Sequence, residues 1–250
     1  TDSPSSSLHL LGSAPKINLQ HTATGSQGVL RWVDITGTVK SQIASYLNVA
    51  DSGNIEFCTG GTSTVMELDS AGRLLLGTST EGEANADDLT VATSGHTGVT
   101  IRSGTTNRGN IYFSDGTSGD AEYRGYVTYD HDGDKFKFGT ANIDRLVIDS
   151  SGRVIIGATS ARVVGTNRQF TIEGTDSPTS SASIFRNSNN SAGAVLALGK
   201  SRGTSDGSST VLQSGDQSGA IFFYGADGTD AVSQVASISA EIDGTPGSND

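Results

Sequence analysis

The sequence predicts an all-β fold: tandem modules of short strands joined by hairpins, with very little helix. Three observations carry this prediction. Apolar residues fall in short alternating runs, the runs are punctuated by Asp- and Gly-containing turns, and both features recur at a displacement of 80–81 residues. Alternation is the period of a strand with one face turned inward and one in water. Ile17 and Leu19, Met66 and Leu68, Val99 and Ile101, and Phe136 and Phe138 each show it. No window carries a sustained 3.6-residue period with helix caps.

The turns have a mechanism. In DSAG, starting at Asp69, and DSSG, starting at Asp149, the carboxylate is placed to bond the backbone two residues on. Gly72 and Gly152 then supply a positive φ. The same chemistry is expected at Asp51 with Gly53, at Asp115 with Gly116, at Asp132 with Gly133 and at Asp227 with Gly228.

The repeat fixes the organisation. LDSAGRLLLG at 68–77 returns as IDSSGRVIIG at 148–157. Leu8 and Leu10 match Leu89 and Val91, which match Phe170 and Ile172. Gly28, Leu30 and Trp32 match Gly109, Ile111 and Phe113; Ile55 and Phe57 match Phe136 and Phe138; Tyr46 matches Tyr126. Three modules follow, at 1–81, 82–162 and 163–250. In the third, Gly219, Ile221 and Phe223 repeat Gly109, Ile111 and Phe113 at a displacement of 110, which implies an insertion of about thirty residues. The polar, Gly- and Ser-rich stretch near 187–215 is expected to form an added hairpin. The third module is expected to stop partway. Because the chain opens at Thr1 and not at Met, it is expected to be a processed product or a piece of something longer.

Composition restricts the function classes. Hydrophobic residues make up 34%, well below the usual ~45–50%, so a module of about eighty residues buries little surface against the entropy of ordering it. Open strand edges add an aggregation hazard. Self-association in a closed cyclic arrangement answers both problems. An excess of acid, 27 Asp and Glu against 16 Lys and Arg, disfavours nucleic acid as a partner, because phosphate contacts need a basic surface. The single cysteine, Cys58, leaves no intramolecular disulfide framework. No apolar run approaches the ~18 residues of a membrane-spanning helix, so no membrane insertion is expected.

LDSAGRLLLGTS and IDSSGRVIIGATS resemble the repeat common in bacteriophage tail-fibre and tail-spike proteins. LGKSRGTSDGSSTVLQSGDQSGAIFFYGADGTD, followed by ISAEIDGTPGSND, resembles a module of such fibres and is the more specific match. The resemblance runs from about Leu8 onward. It implies an elongated, fibrous homotrimer that forms an extracellular appendage of the virion. Its partners would be other copies of itself, other virion tail proteins and a host-surface receptor, with polysaccharide as a candidate. Fibres of this family often carry a C-terminal chaperone domain that assists trimerisation and cleaves itself off, and none is expected within these residues. A head fibre or whisker, a trimeric bacterial surface adhesin and a glycan-degrading tail spike are the alternative readings.

No catalytic, cofactor-binding or metal-ligating residue is assigned, and the chain is read as a non-enzyme. Gly199, Lys200 and Ser201 end like a phosphate-binding loop, but Ala194 stands where that loop requires Gly and no helix pattern follows. Asp130, Asp132 and Asp134 open like a calcium loop, but Ala141 holds the position of the closing acid, so a tight Asp-Gly turn is the better reading. His9, His21, His96 and His131 are scattered, and no carboxylate pair stands out for glycoside hydrolysis. The candidate contact residues are the aromatics Tyr112, Tyr123, Tyr126 and Tyr129, because aromatic faces suit sugar rings. Against a special role for the aromatics at large, Trp32, Phe113 and Phe223 occupy equivalent repeat positions, which favours core packing in an assembled fibre.

Overall fold

The computed structural model describes residues 27–48 and 52–247. Leu8, Leu10, Ile17, Leu19, His9, His21 and Asp51 lie outside the described residues. The chain divides into two compact units, 1–100 and 101–250.

The first unit holds a six-stranded sheet in simple sequence order. Its strands are β1 (Gln27–Val33), β2 (Val39–Asn48), β3 (Ser52–Thr59), β4 (Thr64–Leu68), β5 (Leu74–Leu76) and β6 (Leu89–Val91). The first five form an antiparallel meander, and β6 adds parallel to β5. The second unit repeats this with β7 (Arg108–Phe113), β8 (Gly125–Asp130), β9 (Lys135–Thr140), β10 (Ile143–Ile148), β11 (Val154–Ile156) and β12 (Phe170–Ile172). It also contains an antiparallel pair, β13 (Gln217–Gly225) and β14 (Ser233–Glu241). Among the described residues one 3-10 turn, Gly119–Tyr123, interrupts the β structure. Among the described residues no helix is long and apolar enough to cross a membrane.

The modular repeat is therefore a six-stranded sheet, and β6 and β12 lie beyond the sequence cuts at 81/82 and 162/163. Each sheet is completed by a strand that the sequence reading counted with the following module. Strand pairing also refines one landmark. Tyr126 pairs with Tyr112 and Gly139, while Gln42 pairs with Arg31 and Cys58. Tyr126 is thus the counterpart of Gln42, not of Tyr46, whose counterpart is Asp130. The longer β7–β8 connection, which contains the 3-10 turn, shifts the local displacement to 84.

Val99 and Ile101, expected in a strand, have no ladder partner. The inserted stretch near 187–215 carries no strand pairing. There the chain reverses between Ser201 and Thr210 through one main-chain bond, Arg202 N–H to Thr210 O (3.3 Å), and the Ser201 hydroxyl. Its polar tip offers no cross-strand side-chain pairs to extend a ladder.

Directly paired residues share a face, and each sheet carries two rows of side chains that cross all six strands. In the first sheet one row is Leu30, Ile43, Phe57, Met66, Leu76 and Val91, and the next is Gly28, Ser45, Ile55, Leu68, Leu74 and Leu89. In the second sheet the rows are Ile111, Val127, Phe138, Leu146, Ile156 and Ile172, and Gly109, Tyr129, Phe136, Ile148, Val154 and Phe170. These nearly continuous apolar rows form the face the sequence assigned to the interior.

The structure corrects that assignment for the single chain. Leu30, Ile55, Leu68, Leu89, Ile111, Phe136, Phe138 and Phe170 are all exposed. The buried apolar residues described are Ala44, Cys58, Leu75, Val147 and Ile155, and they lie on the opposite face with Gln42, Glu67 and Thr128. The reason is the crossover. Parallel strands β5 and β6 require a connection that passes over one face of the sheet. The Gly82 N–H donates to the Thr90 hydroxyl (3.0 Å), and Thr90 lies on the Leu75 side. The connection therefore covers the Leu75 part of that face and leaves the apolar face uncovered.

The crossover also demands glycine. At Gly157 (φ +82°) an added Cβ would lie 2.2 Å from the Glu173 carbonyl oxygen, whereas at Gly152 (φ +74°) it would meet nothing within 4 Å. Gly157→Ala should therefore cost about 3 kcal/mol or more, from a backbone clash added to φ strain. Gly152→Ala should cost only the φ term, about 1–2 kcal/mol. Paired denaturant titrations check this order.

Candidate functional site

The turns expected at Asp69, Asp149 and Asp227 form, and the first two extend further, whereas at Asp115 the expected geometry is absent because Gly116 does not take a positive φ. Asp69 Oδ1 accepts the Ala71 and Arg73 amides, both at 2.9 Å, while the Gly72 amide donates to the Asp69 carbonyl (3.0 Å) and Gly72 takes φ +86°. Asp149 does the same with Ser151 (3.0 Å) and Arg153 (3.1 Å), and Gly152 donates to the Asp149 carbonyl at 2.8 Å. The arginine that ends each motif clamps the turn. Arg73 Nε donates to Asp69 (2.7 Å) and its Nη1 to Asp87 (2.9 Å), tying the turn to the crossover. Arg153 binds Asp149 and Asn167 in the same positions. Sequence reasoning quoted both arginines without giving them a role, although their recurrence after each Asp-Gly turn was the available signal. Burial opposes the ionised form of Asp69, but the bonds from Arg73 and Ala71 outweigh it and hold its pKa below the usual carboxylate value. Asp34 supports the β1–β2 turn in a similar way. Bonds from the Thr36 hydroxyl, then Lys40 and the Thr38 and Thr36 amides, lower its pKa to about 2.

The four candidate tyrosines are divided between the two faces of the second sheet. Tyr129 lies on the apolar face, edge-on to Phe136 (ring centroids 5.1 Å) and to His131 (4.9 Å). Tyr112 and Tyr126 are direct cross-strand partners on the opposite face, and Tyr123, from the 3-10 turn, meets Tyr112 with centroids 5.9 Å apart. Together they border an open cleft of about 580 Å³, with Arg108, Asn110, Thr128, Lys137, Asn142 and Asp144 on its walls.

The cleft is held from below. A Cβ at residue 139 would fall 2.1 Å from the Tyr126 ring, so Gly139 alone lets that ring lie across β9. The Tyr126 hydroxyl donates to Asp144. Burial, followed by this bond to a carboxylate, pushes the phenol up to about 12. Asp130 is buried and ion-paired to Lys137 (2.9 Å) and Arg108 (3.1 Å), with Lys137 the larger cause of its lowered pKa. Asn110 accepts the Thr128 hydroxyl at 2.8 Å. Sequence reasoning missed Gly139 and Asp144. Gly139 within a strand was the available sign of close approach by another group.

The remaining candidates are placed as follows. Asp130 is committed to Lys137 and Arg108, while Asp134 (φ +48°) accepts the Tyr129 hydroxyl at 3.2 Å. Ala141 and Asn142, at φ +52° and +60°, form the two-residue turn between β9 and β10, the geometry that suits antiparallel twist. The Ser201 hydroxyl accepts the Gly203 and Thr210 amides, so this segment is a side-chain-supported reversal. Among the described residues no group of three or more His, Cys, Asp or Glu is arranged to hold a metal ion. No family model matches this chain, and no curated protein and no solved structure matches it.

Departures from the internal repeat separate scaffold from site. The apolar rows keep their character between the sheets. On the other face, Tyr112, Tyr126, Gly139, Asn110, Thr128 and Lys137 stand where the first sheet has Arg31, Gln42, Cys58, Val29, Ala44 and Glu56. Glu67 is another departure, replacing the fully buried Val147. Burial, then the charges of Glu56 and Asp69, raise its pKa. The fold therefore leaves this face free to vary.

Proposed function

We propose that this chain is a structural module of a fibrous protein that assembles by joining the apolar faces of its sheets. The reading is supported chiefly by the two apolar rows, which cross all six strands of each sheet; none of their side chains is buried in the single chain, and Leu30, Ile55, Leu68, Ile111, Phe136, Phe138 and Phe170 are exposed. A monomer rarely leaves so large a contiguous apolar face in water. Burying such side chains contributes ~1.5–3 kcal/mol each, which supplies the cohesion that the small single-chain core lacks.

Within this class the proposal is an elongated homotrimer forming part of a bacteriophage tail fibre, a non-enzymatic appendage that holds receptor-binding surfaces away from the virion. The repeated Asp-Ser-x-Gly-Arg turns and the C-terminal segment support this particular reading through their resemblance to such fibres. The function is mechanical and multivalent: several weak contacts on one rigid rod combine into avidity. Sedimentation equilibrium is expected to give three times the chain mass of 25.6 kDa, and antibody labelling is expected to mark the tail of the particle. A stable species at the mass of one chain would overturn the assembly. Labelling confined to the head would overturn the tail assignment while leaving the assembly standing.

A further inference from the structure

We propose that the tyrosine cleft of the second sheet is a saccharide-binding site. It rests on the proposed assembly in one respect: joining the apolar faces leaves the opposite face, with this cleft, in water.

Five observations carry the inference. The cleft volume, about 580 Å³, falls within the ~300–1,000 Å³ of small-molecule sites and has room for a short oligosaccharide. Tyr112 and Tyr126 are direct cross-strand partners on this face, with the Tyr126 ring laid over Gly139 and Tyr123 adjoining Tyr112. Such surfaces suit the apolar faces of sugar rings, with hydroxyls at the edges for their polar rims. Asn110, Asn142 and Asp144 stand around these rings as hydrogen-bonding partners for hydroxyl groups. The charges also balance: Arg108 and Lys137 are both drawn to the buried Asp130, and Asp144 is acidic. A neutral glycan therefore fits better than a phosphate or a polyanion.

The fifth observation is the contrast between repeats. The fold does not need these residues, because the first sheet builds the same strands with Arg31, Gln42 and Cys58 at the positions of Tyr112, Tyr126 and Gly139. Gly139 is informative. A glycine inside a strand costs stability, and here its absent side chain makes room for the Tyr126 ring.

The test uses the intact assembled chain on an array of neutral and acidic bacterial-surface oligosaccharides, followed by nuclear magnetic resonance titration of the best-retained glycan. At least one neutral oligosaccharide is expected to bind. Tyr112→Ala removes an exposed ring with a single aromatic neighbour and should weaken binding by about tenfold or more. Tyr112→Trp should restore it. Tyr126→Phe keeps the ring packing and should weaken binding less. The site is overturned if no glycan is retained, if only polyanions are retained, or if Tyr112→Ala binds as the parent does. Sedimentation of the same samples separates the two proposals. Binding by a monomer sinks the assembly and leaves the site, whereas a trimer that binds nothing sinks the site alone.

Discussion

Phe138→Asp is expected to abolish the proposed assembly, with the sedimenting mass falling from the expected three chains to one. Phe138 sits in the middle of an apolar row, paired with Val127 on one side and Leu146 on the other, and stacked at 6.0 Å on Phe136. It is 40% exposed in the single chain, so much of its surface is free to be covered by a neighbouring copy. A carboxylate there loses that burial and must be desolvated without a partner. The combined cost is at least about 3 kcal/mol per chain, and each 1.4 kcal/mol is about tenfold in an association constant. Phe138→Leu keeps an apolar side chain and should retain the assembly with a lower melting temperature. Ile155→Asp supplies the contrast. Ile155 is fully buried within the chain's own sheet, so that variant should lose its β circular dichroism as well as its mass. An unchanged mass for Phe138→Asp would show that this face is not the interface.

How much of this was legible in the sequence follows from which interactions are local. The Asp-Gly turns at Asp69 and Asp149 involve four or five consecutive residues, and their side-chain bonds follow from spacing alone. Met66 with Leu68 and Phe136 with Phe138 marked β4 and β9 through strict alternation. Even the division of the tyrosines was readable in principle: Tyr126 and Tyr129 are three apart in one strand, an odd separation that puts them on opposite faces. What could not be read was the exposure of the apolar face. Alternation shows that a strand has two unlike faces, but the crossovers at 77–88 and 157–169 decide which face the chain covers by itself. That choice lies in the parallel pairing of β5 with β6 and β11 with β12, a non-local contact without a residue signature. Gly77 and Gly157 mark the place, since each meets a carbonyl of the returning chain.

Asp149→Ala is expected to destabilise the second sheet by about 2–3 kcal/mol, as read by denaturant unfolding. One carboxylate serves four donors there: the Ser151 and Arg153 amides and two guanidinium nitrogens of Arg153. Charge-assisted bonds are the stronger kind, and removing the acceptor leaves two amides and a guanidinium to find water. The loss also reaches the crossover, because Arg153 bonds Asn167 (3.3 Å) while it holds the turn. The pH dependence has a defined sign. The side-chain bond from Arg153, then the amides of Arg153 and Ser151, lower the pKa of Asp149 below its ordinary value in the folded state. A depressed carboxylate contributes stability that is fully present above the unfolded pKa, about 3.9, and lost as pH falls through the folded one. The parent should therefore weaken more steeply than Asp149→Ala between about pH 5 and pH 2, and the two stability curves should converge at the acid end. Arg153→Lys is the diagnostic companion. It keeps the charge but loses the planar fork that reaches both the turn and Asn167. It should recover part of the acid dependence without recovering the full stability, so parallel pH profiles for parent and Asp149→Ala would remove the carboxylate from this role.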